Sequence, residues 1–541
     1  MKRMNGGDAI VQSLLLHGVD TIFGLPGVQT YAFFDALSIA GERVKLYTPR
    51  HEQATAYMAY GYAKSTGKVG VYCVVPGPGV LNSTAAICTA YGASVPIVCI
   101  TGQVPAHFIG SGKGHLHELP DQLATLRTLT KWAARINHPA EAPRLVAEAF
   151  QQATCGRPRP VSLEMPGDIY LAQAPVELVQ PFARYSAIPP DPEAIGNAVK
   201  LIKGAKNPMI MVGGGAIHAA EEIQALAELL QAPVVSYRGG RGIVSDEHYL
   251  GFNCAAGAKR WAETDVLIGI GSRLQLTWFE WGRPKGAADL KVVKIDIDPE
   301  QSVRLRPDVS IVGDAKEAAG DLLAYLQRDC PQAPSRRDEF ESVKQRTWKQ
   351  AQTVRPQIQY LDAIRRVLPR DGFFVEEICQ VGFTSLFGFP IYSPRTFVTC
   401  GPQGNLGFGF PTALGVKVGN PDKAVVSITG DGGFQFGLQE LATAMQYGIN
   451  LVTVVFNNES YGNVMRDQKR LFDGRVIGSK LRNPDFIALA KSYGMAAYKT
   501  ETPEKLEAAL EKALSENAPA LIEVPVPTGT ESSPWELLKP F

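Results

Sequence analysis

The sequence predicts an α/β protein of three domains, each with a central, mostly parallel sheet flanked by helices. The chain has 541 residues, a length that suits about three or four domains. Short apolar, β-branched runs alternate with helical patterns along most of it, and this alternation is typical of parallel sheets. Two intervals rich in proline or charge, residues 186–192 and 331–356, divide the pattern into three blocks. We therefore predict domains at residues 1–180, 190–330 and 355–541.

The first two blocks carry the short apolar runs expected of buried strands. In the first block these runs lie at residues 21–24, 69–75, 96–101 and 161–165, with helical patterns between them. The middle block opens on a similar run at residues 208–213. Each block is therefore expected to form a sheet of its own.

The third block contains two strand patterns whose ends carry polar residues. The run 424–430 stops where Asp431 appears, and the run 450–456 is followed by Asn457 and Asn458. Ligands of open α/β sheets collect at the carboxyl ends of the strands, so Asp431 and Asn458 are expected to be neighbours. Carboxylate and amide oxygens suit Mg²⁺, which takes further ligands from phosphate. Each piece alone is better explained as a tight turn, and only their spacing and strand context favour a metal site.

This pattern resembles the thiamine-diphosphate signature, in which Gly-Asp-Gly is followed after about two dozen residues by Asn-Asn. Further segments occur in the order seen in acetolactate synthase-like enzymes and cover nearly the whole chain: residues 24–27, 50–53, 76–79, 102–105, 295–299 and 404–411. The resemblance implies that Asp431, the Asn458 side chain and the main-chain oxygen of Ser460 bind Mg²⁺.

The resemblance also implies a thiamine diphosphate site. Leu406 matches the side chain that wedges beneath the cofactor rings, and Gly382 falls where the diphosphate loop begins. The full set of predicted cofactor-binding residues is Pro26, Gly27, Gly79, Asn82, Gly382, Gly404, Leu406, Gly430, Asp431, Gly432, Gly433, Asn458, Tyr461 and Gly462.

Glu52 follows the strand-like run 44–48 and begins a helical pattern. In the resembling enzymes a glutamate at this place hydrogen-bonds the aminopyrimidine ring and promotes removal of the thiazolium C2 proton. A carboxyl group removed from water has a raised pKa and suits proton transfer. The alternative is an acidic first-turn residue that favours the helix dipole. Because the family places this glutamate and the diphosphate site on different subunits, the resemblance implies a homodimer at minimum, with a homotetramer as the expected assembly.

All eight histidines precede Leu250, so a catalytic imidazole must come from the first two domains. The glycine-rich, polar segment 112–120 is expected to be a loop near the cofactor. Decarboxylases of the superfamily carry a histidine in this region. His117 is therefore the first candidate for polarising a substrate carbonyl or moving a proton, and His115 is the second. Surface histidines without a catalytic role are the alternative.

Glycine-rich turns of the middle block follow the layout that binds FAD in acetolactate synthases. Gly213, Gly214 and Gly215 would leave room for a diphosphate, Arg273 would neutralise its charge, and Asp296 completes the set. Such turns are common in any α/β domain. FAD is the first expectation, while an adenosine-bearing ligand such as ADP or CoA, or an empty remnant, stays open.

The composition argues against nucleic-acid and membrane partners. The 54 basic and 53 acidic residues leave a formal net charge of +1, so the chain lacks the excess of positive charge that binds nucleic acids or anionic membranes. The eight cysteines lack C-x-x-C spacing and suit buried thiols in a reducing compartment. No signal-peptide pattern or long apolar run is present, so we expect a cytoplasmic protein.

The resemblance predicts an enzyme that uses thiamine diphosphate to decarboxylate a small 2-keto acid, pyruvate being the first guess, and to join the acyl unit to a carbonyl acceptor. A 2-keto acid decarboxylase or 2-hydroxyacyl lyase is the enzymatic alternative. A non-catalytic cofactor-binding homologue is the alternative of another class. Where biosynthetic acetolactate synthases carry a carboxylate-binding arginine and a tryptophan, this chain has Thr277 and Asp467, which speaks against the branched-chain biosynthetic role.

Overall fold

The predicted fold class is confirmed, because the computed structural model contains three six-stranded parallel sheets flanked by helices. It describes residues 1–183, 189–282 and 289–540. The predicted linker at residues 186–192 therefore lies partly outside the described residues. Within those three ranges, no helix is both long enough and apolar enough to cross a membrane.

The amino-terminal unit contains the first sheet. Its strands are β1 (Lys2–Met4), β2 (Thr21–Gly24), β3 (Lys45–Tyr47), β4 (Gly70–Val74), β5 (Ile97–Gln103), β6 (Trp132–Arg135), β7 (Val161–Pro166) and β8 (Ala174–Val176). Its helices are α1 (Gly6–Leu16), α2 (Tyr31–Ala40), α3 (Glu52–Thr66), α4 (Pro78–Ala93), α5 (Gln122–Leu129), α6 (Ala142–Thr154) and α7 (Gly167–Leu171). The parallel sheet has the order β3-β2-β4-β5-β7-β6, and β1 pairs antiparallel with β8. All four strands predicted in this block are present.

The middle unit has the strand order of dinucleotide-binding sheets. Its strands are β9 (Pro208–Val212), β10 (Val234–Ser236), β11 (Gly251–Asn253), β12 (Val266–Ile270), β13 (Lys291–Asp296) and β14 (Val309–Val312). Its helices are α8 (Pro192–Lys203), α9 (Ala220–Leu230), α10 (Cys254–Trp261), α11 (Pro299–Leu305) and α12 (Ala315–Asp329). The order β11-β10-β9-β12-β13-β14 reverses between β9 and β12, and ligands of such sheets bind outside the strand ends at this switch point.

The polar interval before the third block forms helix α13 (Arg337–Ala351) rather than an irregular connection. Its buried residues, Phe340, Val343, Thr347 and Ala351, are spaced three or four apart and form one face. Charged residues occupy most other positions, so the apolar face is narrow. The interval therefore separates two sheets while packing as part of the fold.

The carboxyl-terminal unit contains the third sheet. Its strands are β15 (Phe373–Val375), β16 (Phe397–Val398), β17 (Val425–Gly430), β18 (Val452–Asn457), β19 (Ala496–Lys499) and β20 (Ala520–Pro525). Its helices are α14 (Gln357–Val367), α15 (Gln380–Gly388), α16 (Gly409–Gly419), α17 (Asp431–Phe434), α18 (Leu441–Tyr447), α19 (Gly462–Leu471), α20 (Phe486–Ser492) and α21 (Pro503–Glu516). The sheet order is β16-β15-β17-β18-β20-β19, which repeats the connection pattern of the first sheet.

Helices α3 and α16 join the first and third units through direct backbone contact. A Cβ atom at Gly61 would lie 2.1 Å from the main-chain oxygen of Thr412, and one at Gly415 would lie 2.0 Å from that of Met58. Only glycine fits at both positions, because any side chain would collide with the facing backbone. This contact sets the position of the start of α3, where Glu52 lies, relative to the third unit.

Candidate active site

The metal-ligand candidates lie together at the carboxyl ends of β17 and β18. These strands are neighbours in the sheet, so Asp431 and Asn458 reach the same edge. Asp431, Asn458 and Ser460 are all buried. Burial raises the pKa of the Asp431 carboxyl, while the Asn483 amide and nearby main-chain N–H groups act in the opposite direction. The structure thus brings the three residues together, and their role as ligands stays a prediction.

The surroundings of these residues fit a magnesium ion with a diphosphate. A carboxylate, an amide oxygen and a main-chain carbonyl make a set of hard oxygen donors. Two predicted glycines line the site where side chains would collide. A Cβ atom at Gly432 would lie 2.5 Å from the Tyr461 ring, and one at Gly462 would lie 2.7 Å from Nδ2 of Asn458.

Two residues that make polar contacts at this site were not predicted from the sequence. Asn483 donates from Nδ2 to Oδ2 of Asp431 at 2.7 Å and to Oδ1 of Asn457 at 2.8 Å. Glu531, in the C-terminal tail, accepts a hydrogen bond from Nδ2 of Asn458 at 2.6 Å. Both residues lie outside the strand-end pattern, which is why no local signal marked them.

Glu377 is a buried carboxyl group between the segments that form the site. It accepts hydrogen bonds from the main-chain N–H of Gly407 at 2.5 Å, from that of Gly409 at 3.2 Å and from the Thr429 hydroxyl at 2.6 Å. A Cβ atom at Gly433 would lie only 2.4 Å from its Oε1. Burial raises the pKa of Glu377 to about 7, against the effect of its hydrogen-bond donors. This side chain joins the 404–409 segment to the strand end before the acidic turn.

The other predicted cofactor residues of the third unit lie around Glu377. Leu406 is half-buried and directly precedes the residue that donates to Glu377. Gly404 has a φ of +59°, a left-handed conformation that favours glycine. Gly382 lies in the first turn of α15, where a Cβ atom would be 1.9 Å from the main-chain oxygen of Glu377. The close approach of the Glu377 backbone therefore requires glycine at this position, and the role of Gly382 in a diphosphate loop stays a prediction.

Glu52, Asn82 and His117 form a second cluster, in the first unit. Glu52 is the first residue of α3, and Asn82 in α4 donates from Nδ2 to its Oε2 at 3.0 Å. A Cβ atom at Gly79 would lie 3.7 Å from Cγ of Glu52, so Gly79 borders the cluster. Burial lowers the pKa of His117, while the negative charge of Glu52 acts in the opposite direction.

Gln29 fixes the orientation of the His117 ring. Gln29 donates from Nε2 to the main-chain oxygen of Leu116 at 2.9 Å, so its Oε1 is the atom that faces Nδ1 of His117, 2.8 Å away. An amide oxygen only accepts hydrogen bonds. When neutral, the imidazole therefore carries its proton on Nδ1 and presents Nε2 as a proton acceptor. His117 also has a φ of +69°, an uncommon conformation for a side-chain-bearing residue.

The remaining candidates of the first unit make contacts that packing explains. His115 lies in the same loop, with its ring centroid 4.8 Å from that of Phe108. Pro26 is exposed, and a Cβ atom at Gly27 would lie 2.2 Å from Cγ1 of Val75. His117 thus lies within electrostatic range of Glu52, whereas the ring of His115 contacts Phe108.

Three segments of the chain match domains described for thiamine pyrophosphate enzymes. Residues 4–125 match the N-terminal TPP binding domain, residues 195–322 the central domain and residues 379–524 the C-terminal TPP binding domain. The chain belongs to the thiamine pyrophosphate enzyme family. The predicted resemblance is therefore confirmed over all three units.

Relatives of this thiamine pyrophosphate enzyme bear names of two activities. The probable 2-ketoarginine decarboxylase of Pseudomonas aeruginosa is 33% identical over 533 residues, covering 97% of this chain and 94% of the relative. The acetolactate synthase large subunit of Haemophilus influenzae is 34% identical over 541 residues, covering 95% and 93%. The probable acetolactate synthase large subunit of Methanocaldococcus jannaschii is 34% identical over 554 residues, covering 96% and 92%. The protein is an enzyme of the thiamine-diphosphate-dependent carboligase and decarboxylase class, and its similarity does not choose between the two activities.

The predicted FAD residues meet at the switch point of the middle sheet. Gly213 and Gly215 pack against Gly271, since Cβ atoms at these two positions would lie 2.4 Å and 3.1 Å from its atoms. These glycines therefore allow two turns to touch. A Cβ atom at Gly214 would meet nothing closer than 3.7 Å, where it would lie beside the ammonium group of Lys64. Burial lowers the pKa of Lys64 to about 8.

Cationic side chains predominate at this switch point. Burial and three neighbouring arginines lower the pKa of Arg273 to about 10. These neighbours are Arg157, Arg159 and Arg238. Asp296, at the end of β13, already forms an ion pair with the buried Lys294. An excess of positive charge beside a glycine turn fits a diphosphate-bearing ligand, which is a feature that FAD, ADP and CoA share.

The two positions that depart from acetolactate synthases offer no cation to a substrate. Thr277 is buried, and its hydroxyl donates to the main-chain oxygen of Leu274 at 2.7 Å. Asp467 lies in α19, with its carboxylate 3.4 Å from the Arg470 guanidinium. Neither side chain replaces an arginine that binds a second keto acid.

Proposed function

We propose that this enzyme decarboxylates a small 2-keto acid and joins the acyl unit that remains to a carbonyl acceptor. Pyruvate is the first substrate to assay. The observation that carries the proposal is the cluster of Glu52, Asn82 and His117, since a homologue that only bound the cofactor would have no need of an oriented acid and imidazole.

Each cluster has a distinct part in this proposal. Thiamine diphosphate, when bound, supplies the electron sink for decarboxylation. Asp431, Asn458 and Ser460 hold Mg²⁺ against its diphosphate. Glu52 exchanges a proton with the pyrimidine ring, and Asn82 keeps that carboxylate in place. Neutral His117 accepts a proton at Nε2, so it is suited to move protons at the substrate.

We propose that two protomers complete each site, with a homotetramer as the larger assembly. Within one protomer the Glu52 carboxylate accepts a hydrogen bond from Asn82, whereas the Asp431 carboxylate accepts one from Asn483. The two carboxylates are therefore oriented by different side chains of the chain. Large apolar side chains near both clusters are exposed, as an uncovered subunit interface would be. They include Leu81 and Leu116 in the first unit and Phe436 and Val464 in the third.

A second candidate function is simple decarboxylation, or cleavage of a 2-hydroxyacyl compound. The observation that favours it is Thr277, whose hydroxyl is turned to its own backbone and offers no cation to the carboxylate of a second keto acid. The relative named as a 2-ketoarginine decarboxylase is as similar to this chain as the acetolactate synthases are. A 2-keto acid with a guanidinium side chain therefore belongs in the substrate panel.

We also propose that the middle unit binds a diphosphate-bearing nucleotide, with FAD as the first ligand to test. Support comes from the arginines around Arg273 and from the strand order of the sheet. Denaturing the purified protein and analysing the supernatant for flavin absorbance and, by mass spectrometry, for ADP or CoA would identify the ligand. A supernatant without any nucleotide would oppose the proposal.

Glu52→Gln is the variant that tests the main proposal. Consumption of pyruvate and other 2-keto acids is measured with thiamine diphosphate and Mg²⁺, and mass spectrometry of the products separates ligation from simple decarboxylation. We expect Glu52→Gln to lower the rate by about 10²–10⁴-fold, the usual contribution of a positioned acid or base. Glu42→Gln, an exposed substitution of the same kind, should leave the rate unchanged. Equal rates in the two variants would contradict the proposed role of Glu52 in catalysis.

A further inference from the structure

A carboxylate from the C-terminal tail reaches the predicted metal site. Glu531 lies in the irregular segment after β20, yet its side chain is partly buried. Its Oε2 accepts a hydrogen bond from Nδ2 of Asn458 at 2.6 Å. A Cβ atom at Gly462 would lie 3.6 Å from the same oxygen, so the carboxylate stands directly beside the start of α19.

The contact determines which way the Asn458 amide is turned. A carboxylate only accepts hydrogen bonds, so the amide must present its NH₂ group to Glu531. Oδ1 of Asn458 is thereby turned toward Ser460, 3.1 Å from its main-chain N and 3.0 Å from its Oγ. A half-turn of the amide would present N–H groups to Mg²⁺, which requires oxygen ligands. Glu531 therefore opposes the orientation that excludes the metal.

The tail is anchored on both sides of this glutamate. Before it, the Thr528 hydroxyl donates to the main-chain oxygen of Asn458 at 2.7 Å. After it, Ser532 donates from its main-chain N to the oxygen of Arg355 at 3.1 Å and accepts a hydrogen bond from Gln357 at 2.6 Å. The position of the carboxylate is therefore set by the fold and does not depend on the contact with the amide alone.

The charges near Glu531 fit a bound cation. The Asp431 carboxylate lies within electrostatic range, and the two negative charges repel each other. Arg466 offsets part of this charge and is itself held by Oε1 of Gln380 at 3.0 Å. A divalent ion beside Asp431 and Asn458 would lower the repulsion between the two carboxylates.

We infer that Glu531 is a positioning residue that turns the Asn458 amide oxygen toward the magnesium ion of the cofactor site. The inference rests on the proposed metal site of Asp431, Asn458 and Ser460. Groups that hold a metal ligand in place typically change metal affinity by about 10–100-fold. An effect of that size is expected from Glu531 although the side chain is not a ligand.

Metal binding to the full-length protein tests this role without relying on turnover. In the presence of thiamine diphosphate, Mn²⁺ affinity is measured by electron paramagnetic resonance and Mg²⁺ affinity by calorimetry. Glu531→Ala should weaken both by about 10–100-fold. Glu531→Gln keeps an acceptor oxygen without the charge and should weaken them less. Glu536→Gln, in the same tail with a side chain that is 75% exposed, should match the wild type.

Asp431→Asn separates failure of the inference from failure of the metal site. If Asp431→Asn weakens Mn²⁺ binding and both Glu531 variants bind like the wild type, the positioning role is wrong while the site stands. If neither residue matters, the site itself is wrong. Tighter thiamine diphosphate binding in Glu531→Ala would mean that the carboxylate competes with the diphosphate, and it would overturn the inference. Melting of the metal-free variants shows whether they fold; if Glu531→Ala does not, Glu531→Gln decides the outcome.

Discussion

Gly61→Ala should lower both the stability of the protein and its rate of catalysis. The new Cβ atom would lie 2.1 Å from the Thr412 main-chain oxygen, whereas ordinary contact starts at 3.4 Å. Helices α3 and α16 would have to move apart by about 1.3 Å, the difference between these distances. Overpacking of this kind costs about 1–3 kcal/mol. For a unit of 150–250 residues this corresponds to a fall in melting temperature of about 2–12 °C.

The same displacement should reach the chemistry, because Glu52 is the first residue of α3. A misplacement of about 1 Å in a catalytic group costs up to about 10²-fold in rate. The contact is reciprocal, since Gly415 faces the Met58 backbone as Gly61 faces Thr412. Gly415→Ala should therefore produce losses of similar size.

Circular dichroism melts of the cofactor-free variants measure the first effect, and turnover with saturating thiamine diphosphate and Mg²⁺ measures the second. Gly196→Ala in α8 is the matched control, because a Cβ atom there meets nothing within 4 Å. It should stabilise the chain by about 0.4–1 kcal/mol through the loss of unfolded-state freedom. A Gly61→Ala protein that melts at or above the wild-type temperature would refute the reasoning.

The remaining predictions concern titration and ligand retention. Burial raises the pKa of Glu376 and of Glu377 to about 7 from 4.5, so the stability linked to their protonated forms is fully present below 4.5 and is lost as the pH rises through about 7. Melting of the metal-free protein should therefore fall over this range, and Glu376→Gln should flatten the dependence; an unchanged slope would contradict it. Because burial lowers the pKa of His117 below 6.5, kcat/KM should decline only at more acid pH. His117→Gln should lower the rate by about 10²–10⁴-fold and should remove this acid limb of the pH–rate profile. An acid limb that persists in the variant would exclude His117 as its source. Arg273→Ala should reduce the nucleotide that copurifies with the protein, whereas the exposed Arg304→Ala should not, and equal retention in both would place the ligand elsewhere.

Local patterns predicted the strand ends of the site but not the contacts that complete it. Asp431 and Asn458 were expected to be neighbours because each follows a buried strand of one parallel sheet, and β17 and β18 do pair. Asn483 and Glu531 approach them from distant segments, and no periodicity or spacing encodes such an approach. Gly382 was predicted to begin a diphosphate loop, and this role stays a prediction; the structure adds that a Cβ atom there would collide with the main-chain oxygen of Glu377.

Helix α13 was missed as an element for a related reason. Its buried positions form one narrow face within a strongly charged stretch, so its composition suggested a connection between domains. The face is stabilised by the middle and third units that surround it. Only the tertiary structure supplies that surface.

The first and third sheets share one strand order, and two predicted site residues occupy corresponding places in the two units: Glu52 at the start of α3 and Leu406 just before α16. The α3–α16 crossing is nearly symmetric, because Gly61 meets Thr412 and Gly415 meets Met58. The sequence separation between Met58 and Thr412 is therefore the same as that between Gly61 and Gly415. The same offset relates Glu52 to Leu406. Two units of one topology thus place a carboxyl group at the first residue of α3 and an apolar side chain three residues before α16. We propose that the division of labour between proton transfer at Glu52 and ring support at Leu406 follows from which residue type occupies each copy of the same position.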